Sequence, residues 1–549
     1  MAKRCPWVFV LAVLASSVAV TPSAAQSAKD RVVTAAVQVT PNPTAVRAHS
    51  SPQIAVNPKN GELVVVESDI QAIRNDPEGR RGCNVHISAD GGRTWFRGGN
   101  AMMKPYTECS RVVINGPYAT LAFDKNGVLY VAHTASDPKF ANPHPPASIP
   151  RHVVLARSTD GGRTFQTTMV YKGPEEASET AGDLPVTGQN GRAMVAVDPS
   201  DSSRVYVAWA QSGSGTKEKA KSLIAASADG GKTFAAPVDV SDPRGASQPR
   251  PTVDGDGAVH VLYLSGSFGL PRSEPQAPPV PRPVYHRESS DGGKTWSEPV
   301  EVDPGVGAHR KWLLAADPKS KALYAVWYGN PTKPEADIRE QDYLDVFLRV
   351  SMDGGKTWSE ARTVNEGGRS DKGVKRYDPA ISITPSGRVD IAWYDFRNSP
   401  VPEGVGNYDF NVGGFQDVYY TSSTDNGRTF QRPDTRITDR IIDRNVGVWS
   451  NNFHSHTNVG MTSTDEGVFF AWQDSRNGNA ETNAEDVYFA SAGPAGSARL
   501  EASLATDSDD SGVPGWALAL TSGAVGMGIA TLMFLFMGRR RDVTASGRG

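Results

Sequence analysis

The chain has 549 residues, with 57 Lys and Arg against 60 Asp and Glu, so its formal net charge at pH 7 is −3. This near balance excludes a strongly basic nucleic-acid-binding protein and an acidic disordered protein. The 54 glycines and 39 prolines favour a turn-rich all-β chain. Helical periodicity is scarce outside the two ends of the chain.

The N-terminal segment is typical of a secretory signal peptide. Lys3 and Arg4 precede an apolar run, and small residues around Ala25 suit cleavage. We expect residues 1–28 to form the signal peptide, with an uncleaved anchor as the alternative. Removal of this segment leaves two cysteines, Cys83 and Cys109, in an oxidising compartment. These two residues are the predicted disulfide, with two free thiols as the alternative.

An octapeptide recurs six times and predicts an internal repeat. It reads SADGGRTW at 88–95 and SMDGGKTW at 351–358, and its third residue is always Asp. The six aspartates follow one another at intervals of 62 to 72 residues: Asp90, Asp160, Asp229, Asp291, Asp353 and Asp425.

The chemistry of the octapeptide indicates a structural turn. The Asp-Gly-Gly and Asp-Asn-Gly sequences suit a hairpin turn, because glycine accepts positive φ without steric cost. The Asp side chain can accept hydrogen bonds from the N–H groups of its own turn. The final Trp or Phe is large enough to wedge between neighbouring sheets. The repeat resembles the Asp-box, or BNR repeat, of sialidase-like β-propellers, and we use the name Asp-box below.

Short β-rich runs around the boxes predict four-stranded antiparallel sheets. Counting the first and second strands gives seven units, which begin near Pro52, Ala119, Ala193, Pro251, Trp312, Pro379 and Asn458. The seventh unit has no box and no fourth strand. Because Arg31–Thr40 resembles a fourth strand, we expect it to complete the last unit and close the ring. The sequence therefore predicts an all-β, seven-bladed β-propeller of four-stranded antiparallel blades over residues 31–494. Six blades are the alternative.

The loops that join second to third strands are the long ones, and they lie opposite the boxes. Long loops on a rigid scaffold are where binding sites are built. Four arginines near the first strands, which line the central channel of a propeller, are candidates for binding a carboxylate or phosphate: Arg192, Arg250, Arg310 and Arg376. The alternative is that they pair with neighbouring carboxylates.

A Trp-x-Asp-x-Arg-Asn pattern occurs twice at the ends of second strands, at 393–398 and 472–477. One interpretation makes Asp395 or Asp474 a general acid and Tyr394 a nucleophile, with the two arginines binding ligand. The other pairs Arg397 with Asp417 and Arg476 with Asp486 inside each blade. Repetition favours the structural interpretation, since a catalytic group is rarely needed twice.

Two histidines, His454 and His456, form a polar cluster before the seventh unit. On a strand, the His-x-His spacing places both rings on one face. Because no second cluster of metal ligands is evident, we expect these residues to bind ligand rather than metal. The sequence indicates no cofactor.

The C-terminal region predicts a membrane anchor. Residues 495–514 are acidic and Ser-rich, as in a flexible stalk. Residues 515–538 are apolar and long enough to cross a bilayer as one helix, and 539–549 begin with three arginines that favour a cytoplasmic tail. The propeller would then lie on the extracytoplasmic side.

The resemblance to sialidases implies an active site on the face opposite the boxes. The enzymes of that family bind a sialic-acid carboxylate with three arginines, and they use a Tyr–Glu pair and an Asp. The Arg-Ile-Pro motif that usually precedes the first box is not found here; Arg74, Arg80 and Arg81 stand in other contexts. We therefore expect a membrane-tethered propeller that binds a glycan or another anionic surface ligand. An exo-sialidase-type hydrolase and a cell-surface interaction scaffold are the alternatives.

Overall fold

The computed structural model describes the strands and turns of the repeat region. The described residues are 31–40, 49–69, 82–105, 108–109, 119–136, 151–173, 190–211, 219–266, 282–305, 308–330, 343–367, 374–399, 414–444, 446, 458–479, 481–482 and 484–494. The chain divides into two compact units, Met1–Ser497 and Ala498–Gly549, and all described residues lie in the first. The predicted signal peptide, stalk, membrane helix and tail lie outside the described residues. Within the described ranges, no helix has the length and apolar character needed to cross a membrane.

The described strands form seven sheets whose neighbouring strands run antiparallel. We number the strands in chain order and the blades by their first strands. The chain begins with β1 (Arg31–Val33) and β2 (Val37–Gln38). Blade 1 contains β3 (His49–Val56), β4 (Leu63–Asp69), β5 (Gly82–Ser88) and β6 (Phe96–Asn100). Blade 2 contains β7 (Glu108–Cys109), β8 (Thr120–Phe123), β9 (Leu129–Ser136), β10 (Arg151–Ser158) and β11 (Gln166–Tyr171).

The next three blades each have four strands. Blade 3 contains β12 (Asn190–Val197), β13 (Val205–Gln211), β14 (Lys221–Ser227) and β15 (Val238–Asp239). Blade 4 contains β16 (Ala246–Val253), β17 (Val259–Ser265), β18 (Val284–Ser289) and β19 (Val300–Asp303). Blade 5 contains β20 (Ala308–Ala316), β21 (Leu323–Asn330), β22 (Asp345–Ser351) and β23 (Arg362–Thr363).

The last two blades complete the ring. Blade 6 contains β24 (Arg376–Ile383), β25 (Val389–Asp395), β26 (Phe415–Ser423), β27 (Thr435–Arg436) and β28 (Ile442–Asp443). Blade 7 contains β29 (Gly460–Ser463), β30 (Val468–Asp474) and β31 (Asp486–Pro494).

The first strands contact one another in a closed cycle, in the order β3, β8, β12, β16, β20, β24, β29 and back to β3. The fourth strand of blade 7 comes from the other end of the chain. Val33 of β1 pairs with Ala492 of β31, and Val37 of β2 pairs with Phe489. The predicted closure by Arg31–Thr40 is therefore confirmed. Seven sheets surround one axis, so the fold is the predicted seven-bladed propeller rather than the six-bladed alternative.

The Asp-boxes fold as the turn chemistry predicts. In the second box, the N–H groups of Arg163 and Thr164 donate to Asp160 Oδ1 at 3.1 and 2.9 Å, and Thr164 Oγ1 donates to Oδ2 at 2.6 Å. The same pair of Thr bonds, from N–H and hydroxyl, recurs in the other five boxes. Burial raises the pKa of Asp160, but the bonds from Thr164 and Ser158 outweigh it and hold the pKa at about 2.

The box aromatic wedges between blades, as expected. The ring of Trp95 lies edge-on against Phe489 of blade 7, with the centroids 5.3 Å apart, and Trp95 Nε1 donates to Gly92 O at 3.1 Å. Each box thus fixes its own turn and contacts the preceding blade, which stabilises the ring at one face.

The strands that carry the two predicted disulfide residues lie side by side. Cys83 is buried in β5, β5 contacts β7, and Cys109 lies in β7, where only the backbone is described. The Cys83–Cys109 disulfide stays a prediction.

Candidate ligand-binding face opposite the Asp-boxes

The strand register defines the two faces of the ring. In blade 6, β25 begins at Val389, which pairs with Ser423 at the start of the sixth box. The same strand ends at Asp395, which pairs with Asp417 at the far end of β26. The loops after second strands therefore leave from the face opposite the boxes, as predicted. Most of those loops lie outside the described residues, so the described site consists of strand ends.

The first strands of five blades carry the same irregularity near this opposite face. Two successive residues of the first strand oppose one residue of the second, which is a β-bulge. The first bulged residue has the same register position in each blade. These residues, which we call the bulge ring, are Ser51, Arg192, Gln248, Lys311 and Asp378.

Four members of the bulge ring have left-handed backbone conformations. The φ angles are 55° at Ser51, 57° at Gln248, 51° at Lys311 and 51° at Asp378. Each costs an L-residue with a Cβ about 1–2 kcal/mol relative to the right-handed region. Strain of this kind in non-glycine residues is typical of binding and catalytic sites. The bulge ring is therefore the strongest geometric sign of function on this face.

The four candidate arginines do not share one register position. Arg192 belongs to the bulge ring, Arg310 immediately precedes a bulge, Arg376 lies two residues before one, and Arg250 immediately follows one. A shift of one position along a strand turns the side chain to the other side of the sheet. The register therefore does not gather the four on one level. Only the backbone of Arg192 and Arg310 is described.

The other two arginines are buried. Arg376 has 1 % of its side chain exposed; its Nη1 donates to Asp345 Oδ1 and its Nε to Asp395 Oδ2, both at 3.1 Å. Arg250 is 5 % exposed and donates from Nε to the carbonyl of Trp312 at 2.8 Å. Arg376 thus follows the alternative interpretation, in which the arginine pairs with neighbouring carboxylates. The described geometry gives neither residue an open approach for a ligand.

The three candidate catalytic residues are also enclosed. Asp395 is fully buried and its Oδ2 accepts hydrogen bonds from Trp393 Nε1 at 2.9 Å and Arg397 Nη2 at 2.6 Å. Tyr394 is fully buried with its ring stacked on Tyr377, and burial raises its pKa well above the usual value. This arrangement supports the structural interpretation for both residues.

The second copy of the motif has the same geometry in blade 7. Asp474 is buried, and its Oδ2 accepts from Trp472 Nε1 at 3.0 Å and from Arg476 Nη2 at 2.8 Å. The guanidinium of Arg476 also lies over the ring of Tyr488, 4.1 Å from its centroid. Two copies with the same bonds indicate a repeated packing element.

The partners inside this element differ from those expected. Arg397 bonds Asp395 and Asp434 rather than Asp417, which accepts from Asn398 Nδ2 at 2.9 Å. In blade 7, Arg476 bonds Asp474 and Asp439, while Asp486 accepts from Asn477 Nδ2 at 2.9 Å. The predicted Arg397–Asp417 and Arg476–Asp486 pairs are therefore wrong. The Arg reaches back two residues to the carboxylate of its own motif, and the following Asn bridges to the third strand.

A buried carboxylate in blade 1 was not found from the sequence. Glu67 is 1 % exposed, and its Oε1 lies 3.0 Å from His49 Nδ1 and 3.3 Å from His86 Nε2. Asn84 Nδ2 donates to the same oxygen at 2.8 Å. Burial raises the pKa of Glu67, but the charge and hydrogen bond of His49, together with His86, bring it down to about 2. Glu67 is therefore held as an ionised group inside the blade.

The register shows what this carboxylate replaces. Glu67 lies opposite the bulge of blade 1. The same position in blades 3 to 6 holds a buried aromatic residue, namely Trp209, Tyr263, Trp327 and Trp393. The signal in the sequence is a Glu near the end of the second strand, at a position where blades 3 to 6 have Trp or Tyr. This difference becomes visible only after the repeats are aligned by their bulges.

His454 and His456 lie outside the described residues. Within the described ranges, no group of three or more His, Cys, Asp or Glu side chains is arranged to hold a metal ion.

Comparison with known proteins gives similarity at the level of solved structures alone. No protein-family model matches the sequence, and no curated protein matches it. A protein of unknown function from Dyadobacter fermentans aligns over 66 % of this chain and 94 % of its own, with 16 % identity and a TM-score of 0.41. The Penicillium chrysogenum α-L-arabinanase, solved with arabinobiose, aligns over the same shares with 13 % identity and a TM-score of 0.42.

A sialidase from Trypanosoma rangeli aligns over 69 % of this chain and 55 % of its own, with 14 % identity and a TM-score of 0.38. This chain thus spans about half the length of that sialidase. At these identities and scores the similarities carry no argument about function. The propeller assignment rests on the strand pairing described above.

Proposed function

We propose that this protein is a membrane-tethered, extracytoplasmic β-propeller that binds a glycan or another anionic surface ligand on the face opposite the Asp-boxes. The observation that carries the proposal is the bulge ring. Non-glycine residues hold left-handed conformations at the same height in four blades, and they do so at the channel end away from the boxes. Repeated local strain at one end of a rigid scaffold supports a binding role for that end.

The charge near the ring supports an anionic ligand. Arg192 occupies the ring position in blade 3, and Arg310 directly precedes the ring position in blade 5. Lys311 at that position pairs with Asp378 of the ring, so the two arginines carry the excess positive charge. Guanidinium groups bind carboxylates and phosphates in bidentate geometry, which gives both attraction and orientation. An acidic sugar, with its carboxylate and several hydroxyl groups, matches these basic groups and the polar side chain of Gln248.

Binding of immobilised glycans to the full-length protein in detergent tests this proposal. We expect acidic glycans to be retained in preference to neutral ones. Arg192→Glu and Arg310→Glu should each weaken binding at least about tenfold, since the first reverses a charge in the ring and the second reverses a charge next to it. Lys232→Glu is the matched control, because Lys232 is an exposed basic residue in the third Asp-box on the other face. Binding that survives both ring variants, or that Lys232→Glu reduces equally, would contradict the proposal.

The location rests on the two ends of the chain. The proposal combines the predicted signal over residues 1–28 with the predicted membrane helix over 515–538, so the propeller would lie outside the cytoplasm, where the Cys83–Cys109 disulfide can form. Protease added to intact cells should then remove the propeller and leave the membrane fragment protected. Thiol labelling after denaturation should find both cysteines blocked until a reductant is added. Protection of the propeller from protease would overturn the location.

Glycoside hydrolysis is the second candidate, and the ionised Glu67 favours it. This carboxylate lies two residues before the end of β4, near the face opposite the boxes, and it lies between two imidazoles. A carboxylate that orients an imidazole is a common arrangement in proton transfer. Release of fluorophore from an aryl sialoside, lost in Glu67→Gln with the fold retained, would establish catalysis. Glycan binding without turnover would establish the binding protein.

A further inference from the structure

Each Asp-box has a seat on the preceding blade. In five of the six boxes, the glycine at the fifth position packs against the third strand of that blade so closely that an added Cβ would lie 2.0–3.2 Å from a side chain there. The glycine and its seat residue are Gly92 on Phe489, Gly162 on Val85, Gly231 on Leu155, Gly355 on His286 and Gly427 on Leu348. In these five, the seat residue lies three positions before the box of its own blade begins or, in blade 7, would begin. In the fourth box, an added Cβ on Gly293 would instead lie 3.5 Å from Ala226, one position before a box. The boxes therefore form a ring of interlocked contacts.

The seventh blade supplies no box to this ring. Ala492 pairs with Val468 in blade 7 as Ser423 pairs with Val389 in blade 6, so Ala492 has the register of a box serine. Instead of turning there, β31 continues and pairs with β1 through Arg31 and Pro494. The seat on blade 6 is consequently without a box from its neighbour.

A cavity of about 310 Å³ lies at this seat. Its walls include Ser422 and Ser423 of blade 6 on one side and Ala492 and Gly493 of blade 7 on the other, with Phe430 of the sixth box at its edge. A volume of this size holds a small ligand or the tip of a turn. The cavity is thus at the position that a seventh box would occupy.

A second-strand position beside the seat carries a tyrosine in blades 2, 3 and 5 and an aspartate in blade 6. Tyr130, Tyr206 and Tyr324 share one register position, and each contacts the following box at Gly231, Gly293 and Asn426 respectively. Blade 6 has Asp390 at that position, fully buried. Asp390 accepts from Arg388 Nε at 3.0 Å through both carboxylate oxygens and from Tyr420 at 2.5 Å. The changed chemistry coincides with the missing box, which suits a partner with polar or charged groups.

The charge of the cavity favours a basic partner. Its lining holds one basic residue, Arg388, and two acidic residues, Asp465 and Glu466. Arg388 is already occupied by Asp390 and by the carbonyls of Thr464 and Asp465, at 2.8 and 3.1 Å. The lining therefore has an excess of negative charge, and the buried Asp390 behind it adds another.

The boxes of this chain show how a basic turn is held at such a seat. Their sixth residue is always Arg or Lys: Arg93, Arg163, Lys232, Lys294, Lys356 and Arg428. At the blade 1 seat, Arg163 makes a bidentate ion pair with Glu62, with Nη2 to Oε1 at 2.7 Å and Nη1 to Oε2 at 3.2 Å. Glu62 directly precedes the second strand of blade 1, whereas blade 6 has Arg388 at that position. A basic side chain in the cavity of blade 6 would therefore have Asp465 and Glu466 as its carboxylates instead.

We propose that the cavity between blades 6 and 7 is a docking site for a tight hairpin turn with a basic side chain, presented by a partner protein. The partner's turn takes the place of the missing seventh box. Its glycine packs toward Ser422 and Ser423, and its basic side chain lies against Asp465 and Glu466. This site is on the Asp-box face, so it is independent of the glycan-binding proposal.

Titration of a backbone-cyclised peptide with the sequence of residues 351–358, SMDGGKTW, into the full-length protein tests this proposal. We expect saturable binding with one site per chain. A peptide with Glu in place of the Lys should bind at least about tenfold more weakly, because the lining is acidic. Glu466→Arg should weaken the original peptide by a similar factor, and Ala492→Trp, which fills the cavity, should abolish binding. Glu298→Arg is the control for charge reversal, since Glu298 is exposed and lies outside the cavity.

Three results would overturn the proposal. They are no binding of the cyclic peptide to the wild-type protein, equal binding to Ala492→Trp, and equal binding of the Lys and Glu peptides. Thermal unfolding of each variant shows whether the ring is intact, and Glu466→Arg, an exposed change, keeps the test valid if Ala492→Trp does not fold. A neutral oligosaccharide that binds the cavity when the peptide does not would also contradict it.

Discussion

Lys311 Nζ lies 3.1 Å from Asp378 Oδ1, and this ion pair links the bulges of blades 5 and 6. Their side chains are 16 % and 3 % exposed, so the pair is largely shielded from water. Both residues have left-handed backbone conformations, with φ of 51°. The ion pair therefore holds two strained turns against each other across the boundary between blades.

The strain at Lys311 predicts an unusual order of stabilities. Lys311→Gly and Lys311→Ala both remove the ion pair, but only glycine adopts φ near 51° without a Cβ penalty. We expect the Gly variant to be more stable than the Ala variant by about 1 kcal/mol in denaturant unfolding.

The control for this comparison is Thr252, in the first strand of blade 4, which is not among the residues with positive φ. At this position, Thr252→Gly should be less stable than Thr252→Ala, because glycine weakens an extended strand by about 0.5–1 kcal/mol. The same order at both positions would show that the bulge is not strained.

The hydrogen bonds of the second Asp-box predict a large effect of one surface residue. Asp160→Ala removes the acceptor for Ser158 Oγ and for the N–H and hydroxyl of Thr164. We expect the free energy of unfolding to fall by about 2 kcal/mol, since each net hydrogen bond contributes about 0.5–1.5 kcal/mol. Asp256→Ala should change it by less than about 0.5 kcal/mol, because Asp256 is 59 % exposed and pairs with an exposed lysine. Equal effects of both variants would contradict the assigned role of the box.

His286 introduces a titratable group where blades 1, 2 and 5 have an aliphatic seat residue. Its ring packs under Gly355 of the fifth box, and its Nε2 lies 3.0 Å from His260 Nδ1. His260 Nε2 in turn lies 3.2 Å from Asp254 Oδ2. Burial, and then the neighbouring His260, lower the pKa of His286 to about 3. The folded protein thus keeps this imidazole neutral at a pH where the unfolded chain protonates it.

The sign of the pH effect follows from this difference. Between about pH 6.5 and pH 3 the unfolded state binds more protons at His286, so its contribution to stability is complete above pH 6.5 and falls as the pH falls. His286→Leu, which restores the residue type of Leu155 and Leu348, should reduce the loss of stability between pH 7 and pH 5 by at least about 1 kcal/mol. Urea unfolding at both pH values measures this. An unchanged loss would show that His286 is accessible to protons in the folded state.

The architecture could be predicted from the sequence because its determinants are local. Each Asp-box specifies its own turn through bonds within five residues, such as Thr164 to Asp160. The count of seven units and the use of Arg31–Thr40 to close the ring needed only the strand pattern and the missing last strand. Both are seen in the pairing of β1 and β2 with β31.

The site could not be predicted in the same way, because it depends on register and on contacts between distant residues. Bulges displace each arginine relative to its neighbours, so residues that look equivalent in the sequence, such as Arg250 and Arg376, have different partners. Glu67 stands out only through its contacts with His49 and His86, which lie on two other strands. The cavity between blades 6 and 7 had a partial signal, since the seventh box was visibly absent from the sequence. The replacement of a tyrosine by Asp390 beside the seat emerged only from strand pairing.

Because the N-terminal segment 31–40 closes the ring, a Val→Ala substitution in it should lower the free energy of unfolding by an amount that depends on how deeply the valine is buried. Val39 is fully buried and its N–H donates to the carbonyl of Val487 at 2.8 Å, whereas Val32 is 57 % exposed. Val39→Ala should lower the free energy of unfolding by about 1–2 kcal/mol through lost burial, and Val32→Ala should lower it by less than about 0.5 kcal/mol.

Weakening this segment also uncovers the edge of β31, so Val39→Ala should increase the rate at which protease cleaves within residues 31–40. Urea unfolding and timed proteolysis with mass spectrometry measure both effects. Equal behaviour of the two variants would mean that the N-terminal strands add little to the closed ring.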